Sequence, residues 1–294
     1  MSNQTTATNY KEIAKQARIK VLDLIFKAQT SHVGSNLSAI DIMAVLFDKV
    51  DPEKDEVILS AGWKAAAWYY FLWKKGIITE EELNSFCQNI FCYGCNGTGE
   101  SLTKATLLVP YRKCERCNGI GKENSKFIGL TEPMNRWGLR FAGGSMGYGL
   151  PAAVGFALSK KLKGEDGKVY VLMSDGELQC GTTYEARLIA ESISLENLVV
   201  IIDKNEYQAM GKTKDILCHN ILDTEEDITI DGHSYNEIEK ALSGEYSYGS
   251  KIMPWIFANT IKGKGVSFME NNNDWHYLNI SKENYEKALK ELNV

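Results

Sequence analysis

The sequence lacks any apolar run that approaches the roughly 20 residues needed to cross a membrane. The segment Met1 to Asn9 is polar and holds no hydrophobic stretch of the kind a secretory leader needs. Basic residues are outnumbered as well, since 33 lysines and arginines face 38 aspartates and glutamates, which gives a net charge of −5. We therefore expect a cytoplasmic chain that neither spans a membrane nor binds nucleic acid by neutralising phosphates.

Short apolar strands alternate with amphipathic helices along most of the chain. This order predicts an α/β fold with a doubly wound, mainly parallel sheet, whose ligands bind at the carboxyl ends of the strands. Strands are predicted at Glu56 to Ser60, Lys168 to Met173, Asn197 to Ile202, Ile228 to Ile230 and Trp255 to Thr260. Helices are predicted at Tyr10 to Gln29, Leu37 to Phe47, Trp63 to Lys74, Thr79 to Phe86, Gly147 to Leu162, Thr182 to Ile193, Asn236 to Leu242 and Lys282 to Leu292.

The composition changes between residues 87 and 126, which are rich in glycine, asparagine and cysteine and hold no long periodic element. We interpret this stretch as an insertion into a domain formed by residues 1–86 and 127–294. The insertion contains CYGCNGTG and CERCNGIG, two copies of one pattern, with eighteen residues between the inner cysteines. This spacing is typical of a zinc site, and four thiolates suit a closed, tetrahedral, structural Zn²⁺. The four candidate ligands are Cys92, Cys95, Cys114 and Cys117.

Two alternatives for the cysteines stay open, namely four thiols without a metal and a redox pair, and the glycines after each pair favour a fixed metal. The repeat also resembles the zinc-binding region of J-domain co-chaperones over some 30 residues. That resemblance implies the metal and not chaperone activity.

Polar residues follow two of the predicted strands at their carboxyl ends. Ser174-Asp175-Gly176-Glu177 follows the strand KVYVLM, and Asp203-Lys204-Asn205-Glu206-Tyr207 follows NLVVII. A carboxylate and an amide oxygen at adjacent strand ends suit one hard divalent ion, and Mg²⁺ takes few protein ligands plus phosphate oxygens. An isolated Asp-Gly is usually a turn. Because both motifs stand at strand ends, we expect a metal and phosphate site instead.

These residues resemble the GDG…N motif of thiamine-diphosphate enzymes, and four further segments resemble transketolases in the same order. The segments are SHVGSNLSAIDIMAVLF, AGGSMGYGLPAAVGFAL, TIKGKGVSFMEN and DWHY. The resemblance covers the chain except for roughly residues 87–126. It implies the thiamine-diphosphate-binding fold and a cofactor set of thiamine diphosphate with Mg²⁺ or Ca²⁺.

The resemblance also implies roles for individual residues. Asp175, the Asn205 side chain and the Tyr207 carbonyl would bind the divalent ion, and Gly176 would contact the diphosphate. Gly144 and Met146 would contact the cofactor rings, and Ile261 would pack beside them. His32 and His276 would face the substrate, where each would assist proton transfer or bind an oxyanion. Lys262 would either reach an anionic group or be solvated, whereas His219 and His233 gain no role from the resemblance.

Three positions depart from the transketolase pattern. Trp63 stands where the family commonly has histidine, and Leu130 to Pro133 lacks a histidine of the family's His-Pro pair. Two polar groups that would meet sugar hydroxyls are therefore missing, and the large Trp63 side chain should narrow the pocket. Cys180 stands where the family usually has a glutamate turned toward the subunit interface.

All of these motifs belong to the domain type that binds the diphosphate and the metal. The resemblance therefore implies the amino-terminal subunit of a two-chain, transketolase-like transferase, which would move a two-carbon ketol unit between sugars or sugar phosphates. A carboxy-terminal subunit would supply the pyrimidine-binding domain and the activating glutamate, in a heterotetramer with two copies of each chain. Two alternatives stay open: the α-subunit of a 2-oxoacid dehydrogenase and a non-catalytic, zinc-containing assembly protein.

Overall fold

The computed structural model describes residues 9–91, 114, 120, 122–141, 143–217, 227–246 and 254–293. Within them lies a wholly parallel sheet of five strands, namely β1 (Glu56–Leu59), β4 (Val169–Ser174), β5 (Leu198–Lys204), β8 (Ile228–Asp231) and β9 (Ile256–Asn259). Their order across the sheet is β1-β4-β5-β9-β8, and the alternation of strands and helices predicts such a parallel sheet. Two short antiparallel pairs stand apart from it, β2 (Asn89–Phe91) with β3 (Lys122–Asn124) and β6 (Tyr207–Gln208) with β7 (Gly211–Lys212).

Helices cover both faces of the sheet, and alternate residues of each central strand serve the two faces. In β4, Tyr170 and Leu172 belong to one apolar cluster, whereas Val169, Val171 and Met173 belong to the other. The helices are α1 (Tyr10–Ala28), α2 (Val33–Ser38), α3 (Ile40–Lys49), α4 (Ala65–Lys74), α5 (Glu80–Asn84), α6 (Gly149–Lys163), α7 (Gly181–Ser192), α8 (Thr213–Ile216), α9 (Tyr235–Ser243) and α10 (Lys282–Leu292). The first cluster includes residues of α1, α3, α4, α9 and α10, and the second includes residues of α6 and α7.

One predicted helix is divided in the structure. The apolar pattern of Leu37 to Phe47 predicts a single helix, but α2 ends at Ser38 and α3 begins at Ile40. The Ser38 hydroxyl donates to Ser35 O and to Asp203 Oδ2, 3.1 and 2.6 Å away. This tertiary bond ties the end of α2 to the end of β5, and no local residue signals it.

Thr79 is followed three residues later by Glu82, a spacing that predicts a capping box at the start of α5, and the structure confirms the box. The Thr79 hydroxyl accepts from the Glu82 amide at 3.1 Å, and the Glu82 carboxylate accepts from the Thr79 amide at 2.9 Å. After α5 the chain enters β2, which pairs with β3 through Asn89↔Asn124 and Phe91↔Lys122. The two ends of the predicted insertion therefore lie side by side.

The described helices include none that is long and apolar enough to cross a membrane.

Candidate functional site

A cavity of about 280 Å³ opens at the carboxyl ends of β4 and β5. Strands β4 and β5 run parallel with Ser174 opposite Asp203, so the two polar motifs emerge side by side. The cavity is the place where a doubly wound sheet is expected to bind its ligand. Its lining residues are His32, Ser35, Trp63, Lys64, Leu130, Gly144, Met146, Ser174, Gly176, Asn205, Tyr207, Gln208, Ala209, His276 and Tyr277.

Asp175 lies beneath the cavity floor and is completely buried. Its Oδ1 accepts from the Gly176 amide at 2.9 Å, and its Oδ2 accepts from the Glu206 amide at 2.6 Å. The second bond links the turn after β4 to the turn after β5. Glu206 has a positive φ of 65°, which keeps its amide directed at the carboxylate. The structure thus joins the two motifs that the sequence analysis paired.

The amide of Asn205 has a fixed orientation. Its Nδ2 donates to Asp203 Oδ2 at 3.2 Å and to the Ser38 hydroxyl at 3.4 Å. A carboxylate only accepts hydrogen bonds, so Asp203 holds the NH₂ group and leaves Oδ1 on the opposite side. There Oδ1 accepts from the Tyr207 amide at 3.1 Å. The amide oxygen, which is the atom a hard cation would use, therefore faces the turn that reaches the cavity.

The buried ion pair of Lys64 and Asp203 supports this arrangement. Both side chains are completely buried, and Lys64 Nζ donates to Asp203 Oδ2 at 2.6 Å and to Ser35 O at 3.2 Å. Thr260 and Ser38 also donate to the Asp203 carboxylate. Burial opposes ionisation, yet Lys64 and these hydroxyls together lower the pKa of Asp203. Sequence analysis gave Lys64 no role and gave Asp203 none beyond its place in the motif, because lysine is ordinarily solvated and Asp203 stands inside a strand.

The Asp175 carboxylate is placed to bind a cation, but no cationic side chain among the described residues pairs with it. No ion pair reaches it there, because the nearby Lys64 is bonded to Asp203. Burial and the neighbouring Asp203 charge raise the pKa of Asp175 to about 7. A divalent ion would favour the ionised carboxylate and satisfy it together with the Asn205 oxygen. No cluster of three or more His, Cys, Asp or Glu side chains is arranged for a metal within the described ranges. That finding leaves open a site built from one carboxylate, one amide and one carbonyl.

Glu177 ties the glycine-rich turn to the end of β4, a role that sequence analysis missed. Its buried carboxylate accepts from the Ser60 hydroxyl, from the Gly147 amide at 3.2 Å and from the Ser174 amide at 2.9 Å. Burial raises the pKa of Glu177, and these donors oppose the rise. The turn that carries Gly144 and Met146 into the cavity is therefore anchored to the strand that carries Asp175.

The two predicted histidines meet at the other wall of the cavity. His32 and His276 have ring centroids 4.9 Å apart, and the His32 amide donates to His276 O at 2.9 Å. Burial, followed by the charges of Lys262 and Lys64, lowers the pKa of His32 to about 4. Burial, followed by Lys262, His32 and Lys64, lowers the pKa of His276 to about 3. Both rings are therefore neutral at neutral pH.

Lys262 is not solvated, so that alternative was wrong. Its side chain is completely buried, and Nζ lies 2.9 Å from Asn273 Oδ1 and 2.9 Å from His276 Nδ1. Burial and the charge of Lys64 lower the pKa of Lys262 to about 8. The lysine thus stands behind the histidine wall and bonds to it.

The remaining predicted residues divide into three groups. Trp63 and Leu130, two of the departures from the family pattern, both line the cavity, whereas the half-buried Ile261 does not. His233 is structural, since its Nδ1 is 2.7 Å from Asp41 Oδ2 and its Nε2 accepts from the Ile261 amide at 2.9 Å. Cys114 is buried. Cys92, Cys95, Cys117 and His219 lie outside the described residues.

Comparisons with known proteins agree with this geometry. The family described as "Transketolase, thiamine diphosphate binding domain" matches residues 118–293. One of the subunits of apulose-4-phosphate transketolase from Actinobacillus succinogenes is 31% identical, over 97% of this chain and 97% of its own. A 6-deoxy-6-sulfo-D-fructose transketolase subunit from Clostridium sp. strain MSTE9 is 30% identical, over 95% of this chain and 94% of its own.

Full-length transketolases match over a smaller part of their length. The crystal structure of transketolase from Campylobacter jejuni is 27% identical with a TM-score of 0.73, and covers 97% of this chain but 42% of the other. Human transketolase is 28% identical over 96% of this chain and 42% of its own. The predicted α/β fold and the prediction of a transketolase-like transferase are confirmed at the level of the family. The chain belongs to the transketolase thiamine diphosphate-binding domain family.

Proposed function

We propose that the chain is the amino-terminal subunit of a two-chain transketolase that transfers a two-carbon ketol unit between sugars or sugar phosphates. The observation that carries the proposal is one cavity that holds the ends of β4 and β5 on one side and His32 with His276 on the other. Relatives of nearly the same length are named as single subunits of transketolases, which favours this reading over a 2-oxoacid dehydrogenase subunit.

In this proposal Asp175, the Asn205 amide oxygen and the Tyr207 carbonyl hold Mg²⁺ or Ca²⁺. The amides of Gly176 and Glu206 donate to Asp175, and Asn205 Nδ2 donates to Asp203. These bonds orient the ligands before the ion arrives, which reduces the cost of binding it. Gly176 leaves room for a phosphate, because a Cβ there would lie 3.3 Å from Gln208 Cβ. The site thus offers a hard cation oxygen ligands and offers the diphosphate an open approach.

Thiamine diphosphate, when bound, would supply the carbanion chemistry that breaks and forms the carbon–carbon bond of the ketol unit. The chain's own residues would position the cofactor and the substrate and would shield them from water. Gly144 and Met146 lie on the turn that Glu177 anchors, where they would contact the cofactor rings, and Ile261 would pack beside them. His276 is buried and His32 is half-buried, and both are neutral, so they would donate hydrogen bonds to the substrate oxygens or accept protons from them.

The apolar wall of this pocket favours a different substrate from the one that a wall with histidines at the same positions would bind. Trp63 and Leu130 present apolar surface where hydroxyl-binding histidines would stand in the family pattern. Apolar groups do not replace hydrogen bonds to a sugar, so the sugar portion that meets Trp63 should carry fewer hydroxyl groups or a smaller group. A Trp63→His variant, assayed against a panel of ketose and aldose phosphates, should shift the preference rather than abolish turnover.

Cofactor binding is the first test. We expect saturable binding of thiamine diphosphate that requires Mg²⁺, measured by calorimetry on the chain with its co-purified partner. Asp175→Ala should abolish the Mg²⁺-dependent binding because it removes the buried carboxylate ligand. Asp166→Ala is the matched control, since Asp166 is exposed on the loop after α6. Equal binding by the two variants would overturn the assignment of Asp175.

The partner is the second part of the proposal. A carboxy-terminal subunit would bring the pyrimidine-binding domain and the activating glutamate, and two copies of each chain would form a heterotetramer. Purification of the tagged chain from its native host, followed by mass spectrometry, should recover such a chain in equal amount. Ketol transfer should require both chains, and appreciable turnover by this chain alone would contradict the split arrangement.

We also propose that residues 87–126 form a separate module that binds one structural Zn²⁺ through Cys92, Cys95, Cys114 and Cys117. The duplicated cysteine pattern supports it, as does the β2–β3 pair, which brings the ends of the stretch together. Metal analysis should give one zinc per chain, and serine at Cys95 should remove it. Serine at Cys87 or Cys180, two thiols outside the set, should leave the zinc in place. Metal-free protein from a chelator-free preparation would refute this module.

A further inference from the structure

The ring of His276 has an asymmetric environment. On one edge, Nδ1 lies 2.9 Å from the ammonium of Lys262, which also bonds to Asn273 Oδ1 at 2.9 Å. The ring itself lines the cavity, whereas Lys262 does not and is completely buried behind the wall. Because Lys262 occupies Nδ1, Nε2 is the ring nitrogen for which no bond within the described residues is seen, and it is the one that remains for a ligand.

The chemistry of an ammonium group decides where the ring carries its hydrogen. A lysine ammonium has three donors and no acceptor, so the atom it contacts must offer a lone pair. Nδ1 of His276 is consequently the acceptor, and in a neutral ring the single hydrogen stands on Nε2. Burial and the nearby charges of Lys262, His32 and Lys64 lower the pKa of His276 and keep the ring neutral at neutral pH.

We propose that Lys262 is a positioning residue that fixes His276 in the Nε2–H tautomer, so that His276 is a hydrogen-bond donor to a substrate oxygen and not a proton acceptor. The proposal rests on the proposed function for the identity of that oxygen, namely the carbonyl oxygen that gains negative charge. It decides between the two roles that the sequence leaves open, oxyanion binding and proton transfer. An oriented N–H is the group that stabilises such an oxygen, and loss of one such donor typically costs roughly 10²–10³-fold in rate.

A second histidine in the same chain provides an internal standard of the opposite tautomer. His233 Nε2 accepts from the Ile261 amide at 2.9 Å, so that nitrogen carries no hydrogen. Its Nδ1 lies 2.7 Å from the Asp41 carboxylate and must therefore be the donor. Because Ile261 directly precedes Lys262, the His233 signal also reports whether the backbone beside Lys262 keeps its fold.

The test is long-range ¹H–¹⁵N NMR on the full chain with ¹⁵N-labelled histidine, at neutral pH and without added cofactor. We expect His276 in the Nε2–H form and His233 in the Nδ1–H form, with the His276 signal assigned by its loss in His276→Gln. Lys262→Met should convert His276 to a mixture of tautomers, because nothing then selects the Nδ1 lone pair. Lys262→Arg retains hydrogen-bond donors at this position and should keep His276 in the Nε2–H form. Lys264→Met is the matched control, since Lys264 is partly exposed and pairs with Glu270.

Two results would overturn the proposal. One is a wild-type His276 that is an imidazolium or carries its hydrogen on Nδ1, which needs no variant to observe. The other is an unchanged Nε2–H signal in Lys262→Met while His233 keeps its native signal. Failure of the proposed function is a separate outcome. The tautomer of His276 is measured without thiamine diphosphate, so the NMR result does not depend on whether the chain binds the cofactor. In the complete enzyme Lys262→Met should lower kcat at least about tenfold while the dissociation constant of thiamine diphosphate stays within about twofold.

Discussion

Asp41 is the centre of a buried network whose contribution to stability follows from its pKa. Its carboxylate accepts from the Arg18 guanidinium at 3.1 and 2.6 Å, from His233 Nδ1 at 2.7 Å and from the Tyr235 hydroxyl at 2.9 Å. The network joins α1, α3 and the start of α9. Burial alone would raise the pKa of Asp41, but His233 and Arg18 lower it from 3.8 to about 2. The difference corresponds to about 2 kcal/mol of unfolding free energy.

The sign follows from the direction of the shift. The folded pKa lies below the unfolded one, so the full contribution is present above pH 3.8 and is lost as the pH falls toward 2. Asp41→Asn should lower the unfolding free energy at pH 7 by about 2–4 kcal/mol, because it also leaves the buried Arg18 without a counter-charge. The gap between wild type and variant should then shrink by roughly 1–2 kcal/mol between pH 7 and pH 2.5, because part of the contribution remains until the pH passes below the folded pKa.

Urea denaturation followed by circular dichroism between pH 2.5 and pH 7 measures both quantities. Glu286→Gln is the matched control, because Glu286 pairs with Lys282 and the two side chains are 58% and 83% exposed. An exposed pair of this kind contributes about 0–1 kcal/mol, so the control should change little. A difference between wild type and Asp41→Asn that stays constant across this pH range would refute the assignment of the shift to the ionised Asp41.

Three further predictions concern the site and its supports. Lys64→Met should destabilise the chain by about 3–5 kcal/mol because it leaves Asp203 unpaired, and Lys64→Met with Asp203→Asn should recover much of that loss in thermal melts. Gly62→Ala should raise the dissociation constant of thiamine diphosphate, because its Cβ would lie 2.2 Å from Gly143 O and displace the turn, whereas Gly155→Ala has open space and should not. Thr79→Ala should cost about 1 kcal/mol in urea denaturation, because it removes the cap of α5; an unchanged midpoint would contradict this.

The parts of the fold that follow from local patterns were predictable. Runs such as VYVLM and LVVII are continuous and apolar because β4 and β5 are covered on both faces, and such runs identify central parallel strands. The capping box at Thr79 involves residues three apart in the chain, so it is visible in the sequence. The break between α2 and α3 was not predictable from the local pattern, and the Ser38 hydroxyl at the end of α2 bonds to Asp203, a residue 165 positions away.

The residues of the candidate site also fall into those that local motifs identify and those that only the packing reveals. Asp175, Asn205, His32 and His276 were predicted because their motifs resemble those of a family, and the cavity brings their segments together. Lys64, Glu177 and Lys262 were missed or left undecided, because their importance lies in being completely buried ionisable groups. A sequence gives the type of a residue, whereas the burial of a lysine depends on which elements close over it. Such residues are found only when the packing is known.

The pairing of β2 with β3 has a consequence for the insertions and deletions that the chain can tolerate during evolution. The described residues on either side of positions 92–121 lie next to each other, because Asn89 pairs with Asn124 and Phe91 pairs with Lys122. The entropic cost of closing a loop grows only with the logarithm of its length, about 0.6 kcal/mol for each doubling. A segment mounted in this way can lengthen, shorten or be exchanged for another while the parallel sheet keeps its registers. The connection between β2 and β3 is therefore a position at which related enzymes can carry insertions of different length and sequence.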